Sequence, residues 1–234
     1  MQKNFGLFPY PCHAVMIVAE TAAHFAPRRI FLSFHSIARG AFDRFCAIAG
    51  LAVLAPVFAI IAFAIKLDDG GPVFYSHSRV GKGLERFRLL KFRSMVVDSE
   101  ESSPLTAPSD PRVTRVGRWL RKYKLDELPQ LLNVLKGDMQ LVGTRPQHER
   151  FVAFFPSEYA VLLQVPPGIT DPASLRFRNE VQMFHDGAIE QQYVTQILPT
   201  KLELSLKYFR SRTFVSDIGI LFRTVLGIKL PSKY

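Results

Sequence analysis

The run from Phe45 to Ile65 contains no charged residue and constrains the fold of this chain more than any other stretch. A helix needs about 20 consecutive apolar residues to cross the hydrocarbon core of a bilayer. A buried helix of a soluble domain is the alternative, but apolar runs of this length and purity are rare in soluble cores. The 234 residues are enough for a membrane anchor together with one domain, and this is the arrangement we expect.

Pro56 lies in the middle of this run, where a proline removes a helical hydrogen bond and kinks the helix. Basic residues flank the run on both sides: Arg28, Arg29, Arg39 and Arg44 before it, and Lys66, Arg79, Lys82 and Arg86 after it. A simple crossing should leave one side poor in Lys and Arg. The flanks therefore favour a reentrant helix that bends at Pro56 and returns to the cytoplasmic face, while a straight span stays open.

The chain divides into three parts around this helix. Residues 1–40 form an N-terminal extension of unknown role, residues 41–67 form the reentrant membrane helix, and residues 68–234 form a cytoplasmic domain. Helical patterns outnumber strand patterns in that domain, so the predicted fold is mixed α/β and mainly helical, with a small sheet. Amphipathic interface helices are expected at its C-terminal end.

The net charge of +10 favours a polyanionic partner, which is a nucleic acid, an anionic membrane surface or a phosphorylated substrate. The bases are spread over loops that flank the membrane segment and form no recognised DNA- or RNA-binding signature, so no nucleic acid is expected. Cys12 and Cys46 are far apart in sequence, which indicates neither a disulfide framework nor a zinc site.

Asp126 and Glu127 form an acidic pair directly after a run of bases. Apolar residues follow the pair at the spacing of one helix face: Leu128, Leu131, Leu132 and Leu135. Asp126 suits an N-cap, Pro129 falls in the first turn and Gly137 suits a C-cap. We therefore expect the pair at the positive end of a helix, where free N–H groups suit a phosphate. The segment fits a purely structural interpretation equally well, in which Asp126 only caps the helix and Glu127 is only a favourable acid in its first turn.

Three further segments carry bases or turn residues. Bases alternate with apolar side chains from Phe87 to Met95, which predicts a strand whose basic face is either solvated or presents Lys91 and Arg93 to phosphate. A tight turn after a short strand carries Arg145. The turn-rich stretch from Pro166 to Glu180 predicts a functional loop, because its length exceeds that of a simple connector.

Two amphipathic helices are predicted from helical spacing of apolar residues. The first has Val116, Trp119, Leu120 and Tyr123 on one face. The second has Ile218, Leu221, Phe222, Val225 and Leu226. The stripe of the second helix either packs against the core or lies in a membrane interface.

Four blocks of sequence occur in a specific order and spacing. They are the Pro-broken helix followed by Asp68-Asp69-Gly70-Gly71-Pro72-Val73-Phe74, Lys91-Phe92-Arg93-Ser94-Met95, Leu125 to Asp138 with Leu141 to Pro146, and Pro167-Gly168-Ile169-Thr170. Together they resemble the bacterial sugar transferases of the monotopic polyprenyl-phosphate phosphoglycosyl transferase superfamily. The resemblance covers about Ala41 to Gly227 and leaves the N-terminal extension unaccounted for.

The resemblance implies an enzyme that transfers a sugar-1-phosphate from a nucleotide diphosphate sugar, expected to be a UDP-sugar, to polyprenyl (undecaprenyl) phosphate. It implies that Asp126 is the nucleophile, which forms a covalent phosphosugar intermediate, and that Glu127 is a catalytic residue and a ligand of Mg²⁺. The bases expected to bind substrate phosphate are Lys91, Arg93, Arg121, Arg145 and Arg178.

The same resemblance implies a place in the bacterial inner membrane, with the catalytic domain of residues 68–234 on the cytoplasmic face. It also implies the first membrane step of a glycoconjugate pathway that makes an exopolysaccharide, O-antigen, capsule or other glycan. The expected partners are the nucleotide sugar, the polyprenyl phosphate and membrane lipid, and a homodimer stays open.

The chain departs from the family pattern at three places. Ala55 precedes Pro56 where a serine is common, Thr144 stands where a proline is usual, and residues 171–174 replace a Gly-aromatic-Ala-Gln pattern. The last departure bears on donor preference and not on the chemistry.

Two functions of other classes remain as alternatives. A membrane-bound glycosyltransferase that moves the sugar alone often uses an Asp-x-Asp metal motif, which this sequence does not contain. A non-catalytic basic membrane adaptor fits the charge but gives no role to the acidic pair.

Overall fold

The computed structural model of the chain describes residues 31–96, 110–178, 189–228 and 230. The helices are α1 (Phe31–Asp69), α2 (Arg115–Tyr123), α3 (Gln130–Lys136), α4 (Glu149–Val152), α5 (Pro156–Leu162), α6 (Pro172–Arg176), α7 (Ile189–Gln192), α8 (Leu198–Ser211) and α9 (Phe214–Leu226). The strands are β1 (Phe74–Val80), β2 (Arg86–Phe92), β3 (Gln140–Val142) and β4 (Gly168–Thr170). A mainly helical fold with little sheet is thus confirmed.

Helix α1 is 39 residues long and is assigned as one helix through Pro56. It begins at Phe31, so it includes residues 31–40 of the predicted N-terminal extension, whose first 30 residues lie outside the described part of the chain. Within the described residues, one helix, over Ile37–Asp69, is long and apolar enough to cross a membrane. Its large exposed side chains are Ile37, Phe45, Ile48, Val53, Ile60, Phe63 and Leu67. The predicted bend at Pro56 stays a prediction.

The first part of α1 packs against the C-terminal helix α9. Arg39 Nε lies 3.3 Å from Asp217 Oδ2, which forms an ion pair between the two helices. The rings of Phe42 and Phe214 meet edge to face with centroids 5.1 Å apart. One turn further along, Ala47 is fully buried in an apolar cluster of the domain.

The last part of α1 is held by the start of the domain. Asp68 Oδ2 accepts a hydrogen bond of 3.1 Å from the backbone N–H of Val116, at the start of α2. The Arg93 guanidinium forms an ion pair with Asp69 and donates from Nε to the carbonyl of Pro72 at 2.6 Å. Both ends of the apolar helix therefore contact the same domain.

Strands β1 and β2 form an antiparallel hairpin in which Tyr75 faces Lys91 and His77 faces Leu89. The strand predicted within Phe87 to Met95 is thus confirmed as part of β2. Successive side chains of a strand point to opposite faces. Tyr75, His77, Leu89 and Lys91 therefore share one face of the hairpin.

Strands β3 and β4 pair in parallel, with Gln140 opposite Gly168 and Val142 opposite Thr170. They approach so closely that a Cβ on Gly168 would lie 2.1 Å from the backbone nitrogen of Gly143, so only glycine fits there. The prediction of a loop from Pro166 to Glu180 is wrong for residues 168–170 and 172–176, which form β4 and α6. Elements of three and five residues are too short to show a hydrophobic period.

Three apolar clusters form the core. One lies between α1, the hairpin, α3, β3 and α9, and its buried members include Ala47, Leu89, Val134, Val142 and Ile220. A second joins the end of α1 to β2 and α2 through Ile61, Ile65, Phe92 and Leu120. The third lies around α4, α5 and α8. The first two fix β2 and α3 against α1, and these two elements frame the acidic pair.

Candidate active site

A fully buried asparagine joins α3 to β2. Asn133 Oδ1 accepts a hydrogen bond of 3.0 Å from the backbone N–H of Leu90, and its Nδ2 donates to the carbonyl of Arg88 at 2.8 Å. A buried amide that is bonded on both sides holds its two elements in one register. These hydrogen bonds hold α3, and the acidic pair that precedes it, close to Lys91, which follows Leu90 in β2.

The acidic pair lies in a short 3-10 turn, Leu125–Glu127, that follows a sharp reversal of the chain. Lys124 makes the reversal with a left-handed backbone of φ 60°, and its N–H bonds to the last carbonyls of α2. The predicted N-cap role of Asp126 is wrong, because the helix α3 begins at Gln130 with Pro129 in the cap position, and Asp126 Oδ1 accepts no hydrogen bond from the described residues. The predicted C-cap is confirmed, since Gly137 ends α3 with φ 92°.

Asp126 does not cap the helix because the segment begins with a tight turn. The backbone N–H of Leu128 bonds to the carbonyl of Leu125 at 3.2 Å, a contact between residues three apart. Asp126 therefore lies inside a turn and not before one. Pro129, which has no N–H to be capped, takes the position before α3.

Two cations meet the pair. Lys91 Nζ lies 3.2 Å from Glu127 Oε1 and 3.8 Å from Asp126 Oδ2. The guanidinium of Arg145 forms an ion pair with the same Glu127 oxygen and donates from Nη1 to the carbonyl of Ile169 at 3.4 Å. The close packing of β3 on β4 thus carries Arg145 to the acid that Lys91 approaches from the hairpin.

Asp126 is buried, and its Oδ1 has no hydrogen-bond partner among the described residues. Burial raises the pKa of Asp126 above its ordinary value, and the adjacent Glu127 charge adds to this rise, while Lys91 opposes it. A buried carboxylate oxygen without a donor is costly unless a ligand or water completes its contacts. Within the described residues, this oxygen is therefore left open to a ligand.

Glu127 has the opposite shift. Burial would raise the pKa of Glu127, but the Arg145 guanidinium and the Lys91 ammonium outweigh it and hold this pKa well below its usual range. Burial also lowers the pKa of the nearby Lys124, against the attraction of Glu127. The two neighbouring carboxylates therefore differ in pKa: Glu127 stays ionised, and Asp126 is the more readily protonated of the two.

The structure brings two of the five predicted phosphate-binding bases, Lys91 and Arg145, into contact with the pair. Arg121 lies near enough to stabilise the Asp126 charge, although other groups act on it more strongly. Arg93 binds Asp69 and Pro72 at the end of α1, and Arg178 lies beside Gly227 after α9. Phosphate contacts of Arg93, Arg121 and Arg178 stay predictions.

Sequence reasoning missed Asn133, which positions the pair without belonging to it. The available signal was its place between apolar residues of the predicted helix: Leu131, Leu132, Val134 and Leu135. A polar residue in an apolar segment of this kind is a sign of a specific buried hydrogen bond.

The carboxylates fit a bound magnesium ion in donor type. In the described part of the chain, no group of three or more His, Cys, Asp and Glu side chains could hold a metal ion. Mg²⁺ commonly takes one or two carboxylates and completes its shell with waters and substrate phosphates. Asp126 and Glu127 match that donor set.

Comparison with known proteins gives a consistent family. The family described as "Bacterial sugar transferase" matches residues 34–229. The Undecaprenyl-phosphate glucose phosphotransferase of Komagataeibacter xylinus is 36% identical over 211 residues, which are 85% of this chain and 37% of that protein. The Exopolysaccharide production protein ExoY of Sinorhizobium fredii is 31% identical over 230 residues, 91% of this chain and 95% of that protein.

A third relative is the UDP-glucose:undecaprenyl-phosphate glucose-1-phosphate transferase of Caulobacter vibrioides, 37% identical over 180 residues. The match covers 74% of this chain and 63% of that protein. This chain thus spans little more than a third of the Komagataeibacter protein but nearly all of the Sinorhizobium one.

Proposed function

This chain belongs to the bacterial sugar transferase family, and from that premise we propose that it transfers a sugar-1-phosphate from a UDP-sugar to undecaprenyl phosphate. Relatives are named for the transfer of glucose-1-phosphate from UDP-glucose and for exopolysaccharide production. The observation that carries the proposal is the buried Asp126, whose Oδ1 has no partner and whose neighbours are cations.

In the first half-reaction, Asp126 Oδ1 attacks the phosphorus nearest the sugar. A bond forms between this oxygen and the phosphorus, the bond from the phosphorus to the bridging oxygen breaks, and nucleoside monophosphate leaves with that oxygen. The product on the protein is an aspartyl-phosphosugar. A covalent step of this kind lets one site use a soluble donor and a lipid acceptor in turn.

In the second half-reaction, a phosphate oxygen of undecaprenyl phosphate attacks the same phosphorus. The bond to Asp126 breaks, the carboxylate is restored, and the product is a lipid-linked diphosphosugar. No proton has to be supplied if the lipid phosphate binds as a dianion, and the cations beside the pair favour that form.

Lys91 and Arg145 supply the positive charge that phosphoryl transfer requires. Negative charge in the transition state spreads over the phosphoryl oxygens, and a positioned cation typically contributes about 3 kcal/mol to its stabilisation. The two bases also hold Glu127 in one place, through contacts from β2 and from the turn after β3. When bound, Mg²⁺ held by Glu127 with Asp126 would neutralise further charge on the substrate phosphates.

The anchoring of α1 supports a reentrant, monotopic arrangement at the cytoplasmic face of the inner membrane. Both ends of α1 contact the domain, through Arg39 with Asp217 and through Asp68 with Val116. A helix that crossed the bilayer would carry one of these contacts to the far side. Side chains exposed elsewhere suit the same interface, namely Trp119, Tyr123, Phe214, Val215, Ile218, Phe222, Val225 and Leu226.

The topology is tested by cysteine labelling in oriented membrane vesicles. Single-cysteine variants at Ile37 and Leu67, both exposed near the ends of the apolar segment, are made after replacement of Cys12 and Cys46. A membrane-impermeant maleimide should label both variants from the cytoplasmic side only. Labelling of the two variants from opposite sides would establish a straight span instead.

The reaction is tested by product analysis. Membranes with the full chain are incubated with UDP-glucose, UDP-galactose or UDP-N-acetylgalactosamine and undecaprenyl phosphate, with Asp126→Asn membranes as the control. Release of UMP, absent from the control, is the predicted result. Release of UDP would indicate a transferase that moves the sugar alone. If wild-type membranes release neither UMP nor UDP, and the Asp126→Asn protein is as stable and as membrane-bound as the wild type, the adaptor alternative is favoured.

A further inference from the structure

His77 is a histidine on the face of the hairpin that carries Lys91. The two residues lie on paired strands, with His77 opposite Leu89 and Lys91 opposite Tyr75. The Tyr75 and His77 rings stack with centroids 5.5 Å apart, which fixes the imidazole along the strand. Neither half-reaction of the proposed transfer uses this residue.

Both ring nitrogens of His77 are buried, and neither has a hydrogen-bond partner among the described residues. An imidazole always carries at least one N–H donor, and a neutral one also has an acceptor nitrogen. Buried polar atoms of side chains normally have a partner. Two orphaned nitrogens on one ring therefore point to a ligand that completes them.

The surroundings of the ring specify the charge of that ligand. Positive groups act on it from three elements: Arg79 on its own strand, Lys91 on β2, and Arg145 in the segment after β3, where the titratable His148 also lies. A hydrogen bond of 3.0 Å from the Val80 N–H to the Gln147 carbonyl holds that segment against β1. Burial and these cations lower the pKa of His77 to about 3, so the ring is neutral in the free protein.

We propose that His77 binds a phosphoryl oxygen of a substrate through a ring N–H, beside Lys91 and Arg145. The inference deepens the proposed function and rests on it. A phosphoryl group offers several acceptor oxygens and the negative charge that the surrounding bases lack. Both substrates contain one: the diphosphate of the nucleotide sugar and the monophosphate of undecaprenyl phosphate. Which of them His77 contacts is decided by experiment.

The direct test is nuclear magnetic resonance of the full chain in detergent micelles with ¹⁵N-labelled histidine rings. The His77 signals are assigned by their loss in His77→Gln. UDP-glucose and undecaprenyl phosphate are then added in separate samples. A shift of the His77 ring nitrogens with the nucleotide sugar assigns the donor, and a shift with the lipid phosphate assigns the acceptor. Signals that move with neither ligand overturn the inference.

Kinetics give an independent readout. His77→Leu removes the N–H and should raise the KM for the substrate it contacts by about tenfold, the effect of one hydrogen bond to a charged group. His77→Gln restores a donor and should recover most of that loss. Ser78→Ala is the matched control, because Ser78 is exposed and points to the other face of the strand. An unchanged KM for both substrates in His77→Leu overturns the inference.

The inference and the proposed function fail in different ways. Wild-type protein that releases no UMP contradicts the proposed function, whatever the His77 signals do. Wild-type protein that releases UMP, with His77 signals and His77→Leu kinetics unaffected by either substrate, contradicts only the role of His77.

Discussion

Asp126 and Asp217 are equally hidden from solvent, each with 6% of its surface exposed, but they differ in how their oxygens are bonded. Asp217 Oδ1 accepts from the Tyr208 hydroxyl at 2.6 Å and from Arg212 Nε at 2.8 Å. Asp126 Oδ1 has no partner among the described residues. A buried carboxylate whose bonds are complete stabilises the fold, whereas one with an incomplete set is available to a substrate.

The partners of Asp217 explain its structural role. Arg212 also donates to the Gln140 side chain at 3.0 Å and to the carbonyl of Val142 at 2.8 Å. With the ion pair from Arg39, this cluster joins α1, β3 and the junction of α8 with α9. Lys91 beside Asp126 is shared with Glu127 instead, which leaves Asp126 with fewer contacts than Asp217 has.

The Asp126→Asn variant should lose transfer by about 10⁴-fold or more, because an amide cannot form the acyl phosphate. The variant should fold as well as the wild type, since the amide removes a buried charge that lacks full compensation. Radiolabelled sugar transfer to lipid and thermal unfolding measure the two effects. A variant that unfolds easily, or one that retains activity, would remove the distinction between Asp126 and Asp217.

The Asp217→Ala variant should show the reverse pattern. It leaves the Arg212 guanidinium buried without its counter-ion, which costs about 3 kcal/mol in the free energy of unfolding. Activity per folded molecule should stay close to that of the wild type. Chemical denaturation in micelles checks the stability, with Asp126→Asn as the matched carboxylate variant. Equal stability of the two variants would contradict the assignment of Asp217 to the scaffold.

Arginine-to-lysine variants extend the comparison from acids to bases. Arg145→Lys keeps the charge but loses the planar guanidinium that contacts both Glu127 and Ile169, so kcat/KM should fall by about 100-fold. Arg212→Lys should instead lower stability with little effect on kcat/KM. Steady-state kinetics and unfolding curves of both variants measure the two effects. An equal fall in kcat/KM for Arg212→Lys and Arg145→Lys would contradict the assignment of Arg212 to the scaffold and of Arg145 to the site.

The smallest effect is a pH dependence of stability at Asp126. The pKa of Asp126 is raised in the folded state above its ordinary value of 3.8, so its charge costs stability as pH rises through the folded-state pKa. Asp126→Asn should therefore gain stability over the wild type at neutral pH, and this gain should shrink towards about pH 4. Unfolding midpoints across that range test the sign, and a gain that grows in acid would be inconsistent with the raised pKa.

The sequence predicted the features that rest on long or regular patterns. The apolar run from Phe45 to Ile65 indicated the helix α1, and the alternation around Lys91 indicated β2. The family resemblance selected five of the 30 Lys and Arg residues, and Lys91 and Arg145 are two of these five. Both are in contact with the acidic pair, although β2 and the turn after β3 are distant in sequence.

Features that depend on tertiary contacts could not be predicted. The N-cap role of Asp126 failed because a tight turn begins at Leu125, and residue type does not distinguish a cap from a turn residue. The contacts of Asn133 with β2, and those of Arg212 with Gln140 and Val142, join residues more than 40 positions apart, so no local pattern reveals them. The orphaned nitrogens of His77 are likewise visible only once the hairpin has formed.

The central claim is that Asp126 becomes covalently linked to the phosphosugar. The most direct test is mass spectrometry of peptides from protein incubated with the UDP-sugar in the absence of undecaprenyl phosphate. We expect a phosphosugar on the peptide that contains Asp126, none in Asp126→Asn, and loss of the adduct when the lipid is added. An active enzyme that carries no adduct at any time, or an adduct on another residue, would contradict the covalent role of Asp126.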